Sequence, residues 1–317
     1  MSGGEFELIA RLAAAMPCRR DDVLAGPGDD GAVLRAPAGM DLVQTVDTCL
    51  EGVHFPAGLA AADVGWRSLA VNLSDLAAMG ATPAWGLLSL ALPAPDDAWV
   101  DDFAAGVAEL ASASGLDIVG GDTVRGPLGV TFALTGFVPA GSALRRSGAV
   151  PGDGIWVTGA LGGGAAGLAA WREGRSDQAG RFLRPPPRLA EGRALRGLAG
   201  AAIDVSDGLL QDLGHVLAAS GVGAVVQLEH VPLAPEAAAA GADAGLGMAL
   251  DGGDDYELCF TVAAGRENEL RAVAASWAAP PARIGVIRAE PGLALEHHGR
   301  RVERPAGGWN AFRAGAQ

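Results

Sequence analysis

The sequence contains no lysine: all 23 of its basic residues are arginine. This absence excludes a P-loop lysine, a Schiff-base lysine and a lysine general base, and with them the enzymes that depend on those groups. Cysteine is scarce too. Cys18, Cys49 and Cys259 are odd in number and widely spaced, so neither a disulfide framework nor a zinc site is expected.

Long apolar runs are also missing, and none approaches the roughly 20 residues that a membrane span requires. Glu5 and Glu7 lie where a signal peptide would carry basic residues. The net charge of −14 disfavours nucleic acid and anionic membranes as partners. We therefore expect a cytoplasmic protein with no nucleic-acid partner and no membrane partner.

With 317 residues, the chain is long enough for two domains. Apolar spacing and alternation predict both helices and strands in each half. The fold class expected is therefore α/β (α+β), with an N-terminal domain at 1–138, a connection at 139–153 and a C-terminal domain at 154–317. Helices are predicted at 5–15, 62–80 and 97–114, and strands at 31–36, 42–47, 85–93, 128–139, 154–160, 222–228, 256–262 and 283–288.

Short carboxylate motifs recur along the chain, each beside a predicted strand or at the start of a helix. A single Asp-Gly pair is explained well by a turn or a helix cap, but that explanation weakens when the motif recurs. Carboxylate and hydroxyl oxygens are hard donors, so such a set favours Mg²⁺ or Ca²⁺ over zinc. The motifs are "GPGDDGAVL" (26–34), "QTVDT" (44–48), "NLSDLAAMG" (72–80), "GGDT" (120–123), "DVSDG" (204–208) and "GGDDYE" (252–257).

Two of these motifs allow specific expectations. In "DVSDG", Ser206 is a candidate helix cap and Asp207 a first-turn residue, whereas Asp204, inside an apolar run, is harder to explain without a cation. "GGDTVRG" (120–126) is expected to be a glycine-rich loop that approaches an anion closely. Arg125 and Arg145–Arg146 are candidate phosphate contacts, with surface arginine as the alternative.

Several blocks of the sequence resemble the thiamine-monophosphate kinase family. The resemblance runs in order from residue 4 to about residue 262, with a weaker match at "GGWNAF" (307–312). The family is part of a superfamily that includes aminoimidazole ribonucleotide synthetase, selenophosphate synthetase and a hydrogenase maturation protein. The occurrence of "VNLSDLAAMGA" together with "DTCLEGVHF" is highly specific. The blocks that carry the resemblance are "GEFELIARL", "GPGDDGAVL", "TVDTCLEGVHF", "GWRSLAVNLSDLAAMGATPAW", "GGDTVRGP", "RSGAVPGD", "IDVSDGLLQDLGH" and "GGDDYELCFT".

The resemblance implies a two-domain aminoimidazole ribonucleotide synthetase-like fold, with mixed sheets packed with helices in each domain. It also implies transfer of the ATP γ-phosphoryl group to thiamine monophosphate. Both reactants are anions, and two unit charges ~4 Å apart repel by about 1 kcal/mol in water and about 4 kcal/mol at a dielectric near 20. Several Mg²⁺ ions, held by carboxylates from both domains, would offset that repulsion.

The resemblance assigns roles residue by residue. It implies a homodimer, with the apolar strands 85–93 and 128–138 pairing across a two-fold axis. Val46 falls where the family often has Thr, so only its backbone could serve, and Asp254 falls where Glu is common. The implied Mg²⁺ set is Asp30, Thr45, Val46, Asp47, Asp75, Asp122, Asp204 and Asp207; the ATP contacts are Gly121, Asp122, Arg146 and Ser206; the substrate contacts are His54, Asp254 and Trp309.

Two alternatives stay open. The chain could be another enzyme of the superfamily, although selenophosphate synthetase is disfavoured because its pattern uses a catalytic lysine. It could also be a Mg²⁺–nucleotide sensor that binds without turnover. Tyr256, the only tyrosine, is expected to be structural and to lie in a strand.

Overall fold

The computed structural model describes residues 5–304 and 307–308. Within that range the chain forms two compact units. The first contains the described residues up to Leu76 together with Ala81–Gly141, and the second contains Ala77–Gly80 and the described residues from Ser142 onward. Among the described residues, no helix combines the length and hydropathy that a membrane crossing requires.

The first unit contains three helices and six strands in the part that the structure describes. In order they are α1 (Glu5–Ala15), β1 (Val23–Ala25), β2 (Val33–Leu34), β3 (Met40–Leu50), α2 (Ala61–Ala78, whose last two residues belong to the second unit), β4 (Thr82–Leu92), α3 (Asp97–Ser114), β5 (Asp117–Arg125) and β6 (Gly129–Pro139).

A four-stranded mixed sheet forms the centre of this unit, in the order β3-β6-β4-β5. Strand β6 is antiparallel to both β3 and β4, and β4 runs parallel to β5. Strands β4 and β6 correspond to the predicted strands 85–93 and 128–139, and both are inner strands with a hydrogen-bonded neighbour on each side. Of the strands of this sheet that the structure describes, β3 and β5 have an open edge, so β4 and β6 offer only their faces to a further partner. The expected pairing of strands 85–93 and 128–138 across a two-fold axis stays a prediction.

Helices α2 and α3 approach each other closely at two glycines. A Cβ atom on Gly106 would lie 2.0 Å from the carbonyl oxygen of Ala62, and one on Gly65 would lie 2.3 Å from that of Phe103. Any larger residue would force the helices apart. The bounds predicted for α3 are confirmed, because Asp96 caps its N-terminus by accepting from the Trp99 N–H (3.0 Å) and Gly115 ends it at φ +71°.

The second unit has more and shorter elements. In order they are β7 (Gly154–Val157), α4 (Gly163–Arg172), α5 (Gly180–Leu183), α6 (Leu189–Leu195), β8 (Ala199–Val205), α7 (Leu209–Ser220), β9 (Gly223–Gln227), α8 (Pro235–Ala239), α9 (Ala242–Asp251), β10 (Glu257–Val262), α10 (Glu267–Val273), β11 (Ala282–Arg288), β12 (Gly292–His297) and β13 (Arg300–Val302).

A seven-stranded mixed sheet runs through this unit in the order β13-β12-β9-β11-β7-β10-β8. Its main core contains Ile155, Ile203, Val205 and Leu213, all at least 98 % buried. The predicted mixture of strands and helices in both halves is thereby confirmed.

The strands predicted at 31–36 and 154–160 are shorter in the structure, at Val33–Leu34 and Gly154–Val157. The strand predicted at 256–262 begins at Glu257, because Tyr256 has φ +52°, a left-handed conformation that does not continue a strand.

Candidate functional site

In the first unit, β3 and α2 bring together three of the predicted site residues. The Thr45 hydroxyl donates a hydrogen bond to the Asp75 carboxylate. Two residues further along β3, the Asp47 N–H donates to the side-chain oxygen of Asn72, at 2.9 Å. Because side chains alternate along a strand, Thr45 and Asp47 point to the same face, the one that α2 covers. This group of oxygen ligands was predicted from "QTVDT" and "NLSDLAAMG".

Val46 lies between those two residues and points away from them. Its side chain is 63 % exposed on the opposite face of the sheet. Only its backbone is available to a ligand on the α2 face, as the sequence predicted.

The strand register places Gly121 and Asp122 in different cross-strand rows, with their Cα substituents on opposite faces of the sheet. Gly121 shares a cross-strand row with Asp47, through Leu88 and Phe132. Asp122 lies one residue on, in the row that contains Ser89, Thr131 and Thr48, so its side chain projects from the opposite face. The structure therefore does not bring the Asp122 carboxylate together with that of Asp47 within this unit.

The segment "GGDTVR" is not a loop. It lies within β5, and a Cβ atom on Gly121 would come within 1.8 Å of the Leu88 carbonyl oxygen. Glycine is needed here because β5 packs tightly against β4, which differs from the predicted reason of close approach to an anion. A strand was not predicted here, since two glycines and an aspartate are unfavourable in a strand.

Two further candidates of this unit lie in turns. The Asp30 N–H donates to the Asp29 carboxylate (2.9 Å), so Asp29 stabilises the turn and Asp30 is exposed beside it. His54 follows β3, and its Nδ1 accepts from the Leu50 N–H at 3.0 Å. With Nδ1 occupied as an acceptor, Nε2 carries the proton of the neutral ring.

In the second unit, Asp204 lies near the end of β8, and Ser206 and Asp207 lie in the loop between β8 and α7. Asp204 is 96 % buried and points to the face opposite the core residues Ile203 and Val205. The expectation that Ser206 caps α7 and that Asp207 lies in its first turn is wrong. Helix α7 begins at Leu209 after Gly208, which has φ +121°, and no side chain provides an N-terminal cap bond at that position.

A residue not singled out from the sequence takes over the capping role. One carboxylate oxygen of Asp212 accepts the N–H groups of Ser206, Asp207 and Gly208, at 3.0, 3.0 and 3.2 Å. Burial of Asp212, reinforced by the negative charge of Asp207, raises its pKa to about 7 despite those three donors. The signal that could have revealed it is the second aspartate of "SDGLLQD", placed one helical turn after the loop.

Asp207 lies among further titratable groups. Carboxylate oxygens of Asp207 and Asp212 and a ring nitrogen of His215 lie within 4.8 Å of one another. Burial raises the pKa of Asp207, and the nearby Asp254 carboxylate adds to that rise, whereas His215 and Arg146 oppose it. The Gln211 side-chain amide donates to Asp207 at 2.8 Å and holds its carboxylate in place.

The turn at residues 252–256 lies against this loop. The Asp254 N–H donates to the Ser206 carbonyl, and the Tyr256 N–H donates to that of Val205, both at 2.8 Å. Asp254 has φ +61°, and its carboxylate accepts from the Tyr256 hydroxyl at 2.8 Å. Tyr256 therefore orients a predicted substrate contact.

Two buried carboxylates hold the C-terminal part of this turn. Asp255 accepts the N–H groups of Gly162 and Gly164 at 2.7 and 3.2 Å, and burial raises its pKa to about 7. Glu257, at the start of β10, is fully buried and accepts from Arg181 (2.7 Å) and from both ends of the Arg188 fork (2.5 and 2.6 Å). These contacts leave the turn little freedom.

Arg146, the predicted ATP contact, is exposed. The Ser220 hydroxyl, at the end of α7, donates to the Arg146 carbonyl (3.3 Å) and accepts from the N–H groups of Gly148 and Ala149 (3.1 and 3.2 Å). This hydroxyl fixes the backbone that presents the guanidinium. Trp309, the third predicted substrate contact, lies outside the described residues.

Comparison with known proteins shows to which family this chain belongs. Its residues 28–138 match the family model of the AIR synthase related protein N-terminal domain, and residues 150–298 match that of the C-terminal domain. The thiamine-monophosphate kinase of Escherichia coli K12 is 43% identical over 330 residues, which cover 98% of this chain and 99% of the relative. The chain belongs to the thiamine-monophosphate kinase family.

Solved structures of family members have the same fold. The crystal structure of thiamine-monophosphate kinase from Stenotrophomonas maltophilia K279a has a TM-score of 0.86 and 45% identity, covering 95% of this chain and 99% of that one. A structure of AaThiL complexed with AMPPCP and TMP has a TM-score of 0.76 and 30% identity, covering 96% of each chain. The two-domain fold expected from the resemblance is confirmed.

The raised pKa of Asp212 predicts that the metal-free protein is more stable at pH 6 than at pH 8. An unfolded aspartate ionises near pH 3.8, whereas Asp212 in the folded state ionises at about 7. The folded state therefore holds the extra proton between these values, and this group's contribution to stability falls as the pH rises through that window. Between pH 6 and pH 8 the change amounts to about 1 kcal/mol.

Chemical denaturation of wild type and of Asp212→Asn, both in chelator, measures this contribution. Other titrating groups affect both proteins, so the difference between the two pH dependences isolates Asp212. A variant whose free energy of unfolding changes with pH as steeply as that of the wild type would contradict the assignment.

Proposed function

We propose that this protein is a kinase that transfers the γ-phosphoryl group of ATP to thiamine monophosphate, forming thiamine diphosphate and ADP. The observation that carries the proposal is the family membership over 98% of the chain. The complex of AaThiL with AMPPCP, an ATP analogue, and TMP supports both substrates. The cytoplasm, where ATP is available, is the proposed location.

Mg²⁺ is the proposed cofactor, and the donor set fits it. In the first unit, Asp47, Asp75 and the Thr45 hydroxyl offer hard oxygen ligands on one face. In the second, Asp207 lies close to Asp212 and Asp254 with a raised pKa. A divalent cation there would replace the repulsion between carboxylates by attraction. When bound, Mg²⁺ would neutralise phosphate charge and hold the reacting oxygens in line.

The proposed Mg²⁺ ligands are those that the resemblance implied. Within the first unit, the side chain of Asp122 points to the opposite face of the sheet from that of Asp47. The set is Asp30, Thr45, the Val46 backbone, Asp47, Asp75, Asp122, Asp204 and Asp207.

The chain's own part in the reaction is to bind and orient two anions. Arg146 and Gly121, together with Asp122 and Ser206, are the proposed ATP contacts, and the guanidinium of Arg146 can donate two hydrogen bonds to phosphate oxygens. No protein nucleophile is required, because direct in-line transfer depends on positioning and charge stabilisation.

His54, Asp254 and Trp309 are the proposed contacts of thiamine monophosphate. The described geometry of the first two suits this role, since each side chain is oriented by a hydrogen bond: that of His54 from the Leu50 N–H and that of Asp254 from the Tyr256 hydroxyl. In the neutral ring Nε2 is the donor nitrogen, and an imidazole N–H can donate to a phosphate oxygen.

A homodimer is the proposed assembly. The face of the four-stranded sheet opposite α2 exposes Leu42, Val46, Leu87 and Val124, at 50, 63, 47 and 48 %. Apolar side chains at such exposure over neighbouring strands are typical of an interaction surface. The open edges of β3 and β5 offer a second means of pairing.

The function predicts that incubation with ATP, Mg²⁺ and thiamine monophosphate yields ADP and thiamine diphosphate in equal amounts. Chromatographic quantification of both products tests this, with thiamine and an aminoimidazole precursor as comparison acceptors. ADP without thiamine diphosphate would refute the kinase assignment, and binding of both substrates without products would favour the sensor. ADP formation with the aminoimidazole precursor would favour another activity of the superfamily.

The metal proposal predicts that Asp47→Asn lowers kcat by at least tenfold and raises the Mg²⁺ concentration for half-maximal rate, because a neutral amide binds Mg²⁺ poorly. Rates measured across a Mg²⁺ titration test this. Asp102→Asn, which removes an exposed carboxylate from α3, is the matched control and leaves both values unchanged. An unaltered Mg²⁺ dependence in Asp47→Asn would remove this residue from the ligand set.

The proposed dimer predicts a sedimenting mass of twice 31.7 kDa at micromolar concentration. Leu87→Arg places a charge on the proposed face and shifts the protein toward monomer. Val33→Arg introduces the same charge at a similarly exposed residue outside that sheet, so it leaves the mass unchanged. A monomeric wild type would refute the assembly, and a dimeric Leu87→Arg would refute this face.

A further inference from the structure

We propose that Asp212 is a positioning residue that shapes the loop at residues 206–208 for ligand binding, an inference that rests on the proposed function of that loop. It is not itself a ligand of the proposed cation. Its carboxylate acts on Ser206 and Asp207 through their backbone.

The geometry gives Asp212 this role directly. Three consecutive N–H groups, of Ser206, Asp207 and Gly208, converge on a single carboxylate oxygen at 3.0 to 3.2 Å. Three successive amides point the same way only in a tightly curved backbone. Asp212 is 98 % buried, so water cannot replace it as the acceptor.

The surrounding contacts restrict the backbone of residues 206–208 to this conformation. Gly208 has φ +121°, and a Cβ atom there would lie 3.0 Å from the backbone of Asp251. On the other side, the Ser206 carbonyl accepts from the Asp254 N–H at 2.8 Å. The N-cap position of α7 is Gly208, which has no side chain to accept a cap hydrogen bond. The carboxylate of Asp212 serves as the acceptor instead.

Helix α7 orients both the backbone and the side chain of Asp207. Asp212 fixes the backbone N–H of Asp207, and the preceding residue, Gln211, donates its side-chain amide to the Asp207 carboxylate at 2.8 Å. With its backbone and its carboxylate both held, Asp207 presents its remaining oxygen lone pairs in a fixed direction. Groups that orient metal ligands in this way typically affect metal affinity by about tenfold to a hundredfold.

Two readouts on the full chain test the proposal without relying on catalysis. Amide hydrogen exchange of the metal-free protein reports whether the N–H groups of 206–208 are protected. Electron paramagnetic resonance of Mn²⁺, titrated with a non-hydrolysable ATP analogue present, reports metal affinity. Neither depends on turnover of thiamine monophosphate, so a failed kinase assay and a failed positioning role are distinguishable.

Asp212→Ala is expected to lose protection at 206–208 and to weaken Mn²⁺ binding by at least tenfold. Asp212→Asn is expected to retain protection and to bind Mn²⁺ within about threefold of wild type, because its amide oxygen can accept the same N–H groups. The matched control is Asp117→Ala. Asp117 is a buried carboxylate that accepts the N–H groups of Arg19 and Arg20, so this variant loses protection there and leaves Mn²⁺ affinity unchanged.

Two results would overturn the proposal. Wild-type Mn²⁺ affinity in a folded Asp212→Ala with an unprotected loop would show that loop shape does not matter. Loss of Mn²⁺ affinity in Asp212→Asn with the loop still protected would show that the cation uses the negative charge itself. If Asp212→Ala does not fold, the result for Asp212→Asn tests the proposal by itself. Protected amides at 206–208 with near-normal Mn²⁺ affinity support positioning. Protected amides with weakened Mn²⁺ binding, or exposed amides with normal Mn²⁺ binding, refute it.

Discussion

A carboxylate withdrawn from water has to be surrounded by hydrogen-bond donors or cations, since an ionised group left unpaired in the interior costs several kcal/mol. Four of the buried acids in the described part of the chain show how this constraint is met. Asp117, Asp212 and Asp255 accept backbone N–H groups, and Glu257 accepts from two arginines and from the Thr158 hydroxyl. Each thereby fixes a loop or a strand end, and Asp212 and Asp255 do so beside Asp207 and Asp254, two of the proposed ligand contacts.

Because the chain has no lysine, arginine has to pair with the buried carboxylates that need a cation. Every cationic side-chain partner apart from histidine has to be a guanidinium, whose planar fork can bind both oxygens of one carboxylate. Arg188 does so with Glu257, while Arg181 takes a further lone pair. A lysine would supply a point charge without that fork, so Arg188→Lys would not be a conservative change.

Sequence reasoning succeeded where local signals and burial agreed. The apolar stripe of helix α3 predicted it, and the aspartate cap and terminal glycine of the structure agree with the predicted bounds. It failed where tertiary contacts outweigh local preference. Strand β5 contains "GGDT" because Gly121 has no room for a side chain beside Leu88, and no single-sequence pattern records that contact. Likewise, Ser206 has the chemistry of a cap, but Asp212 reaches the same amides from inside the helix.

The sheet register links two of the proposals. Asp122 projects from the same face as Leu87, Val46 and Val124, within a row whose other members are Ser89, Thr131 and Thr48. If that face is covered in a dimer, the Asp122 carboxylate leaves water, and hydroxyls alone would compensate only part of the cost. Burial of this face would therefore require a compensating group at Asp122, either a cation or a hydrogen-bond donor of the second subunit.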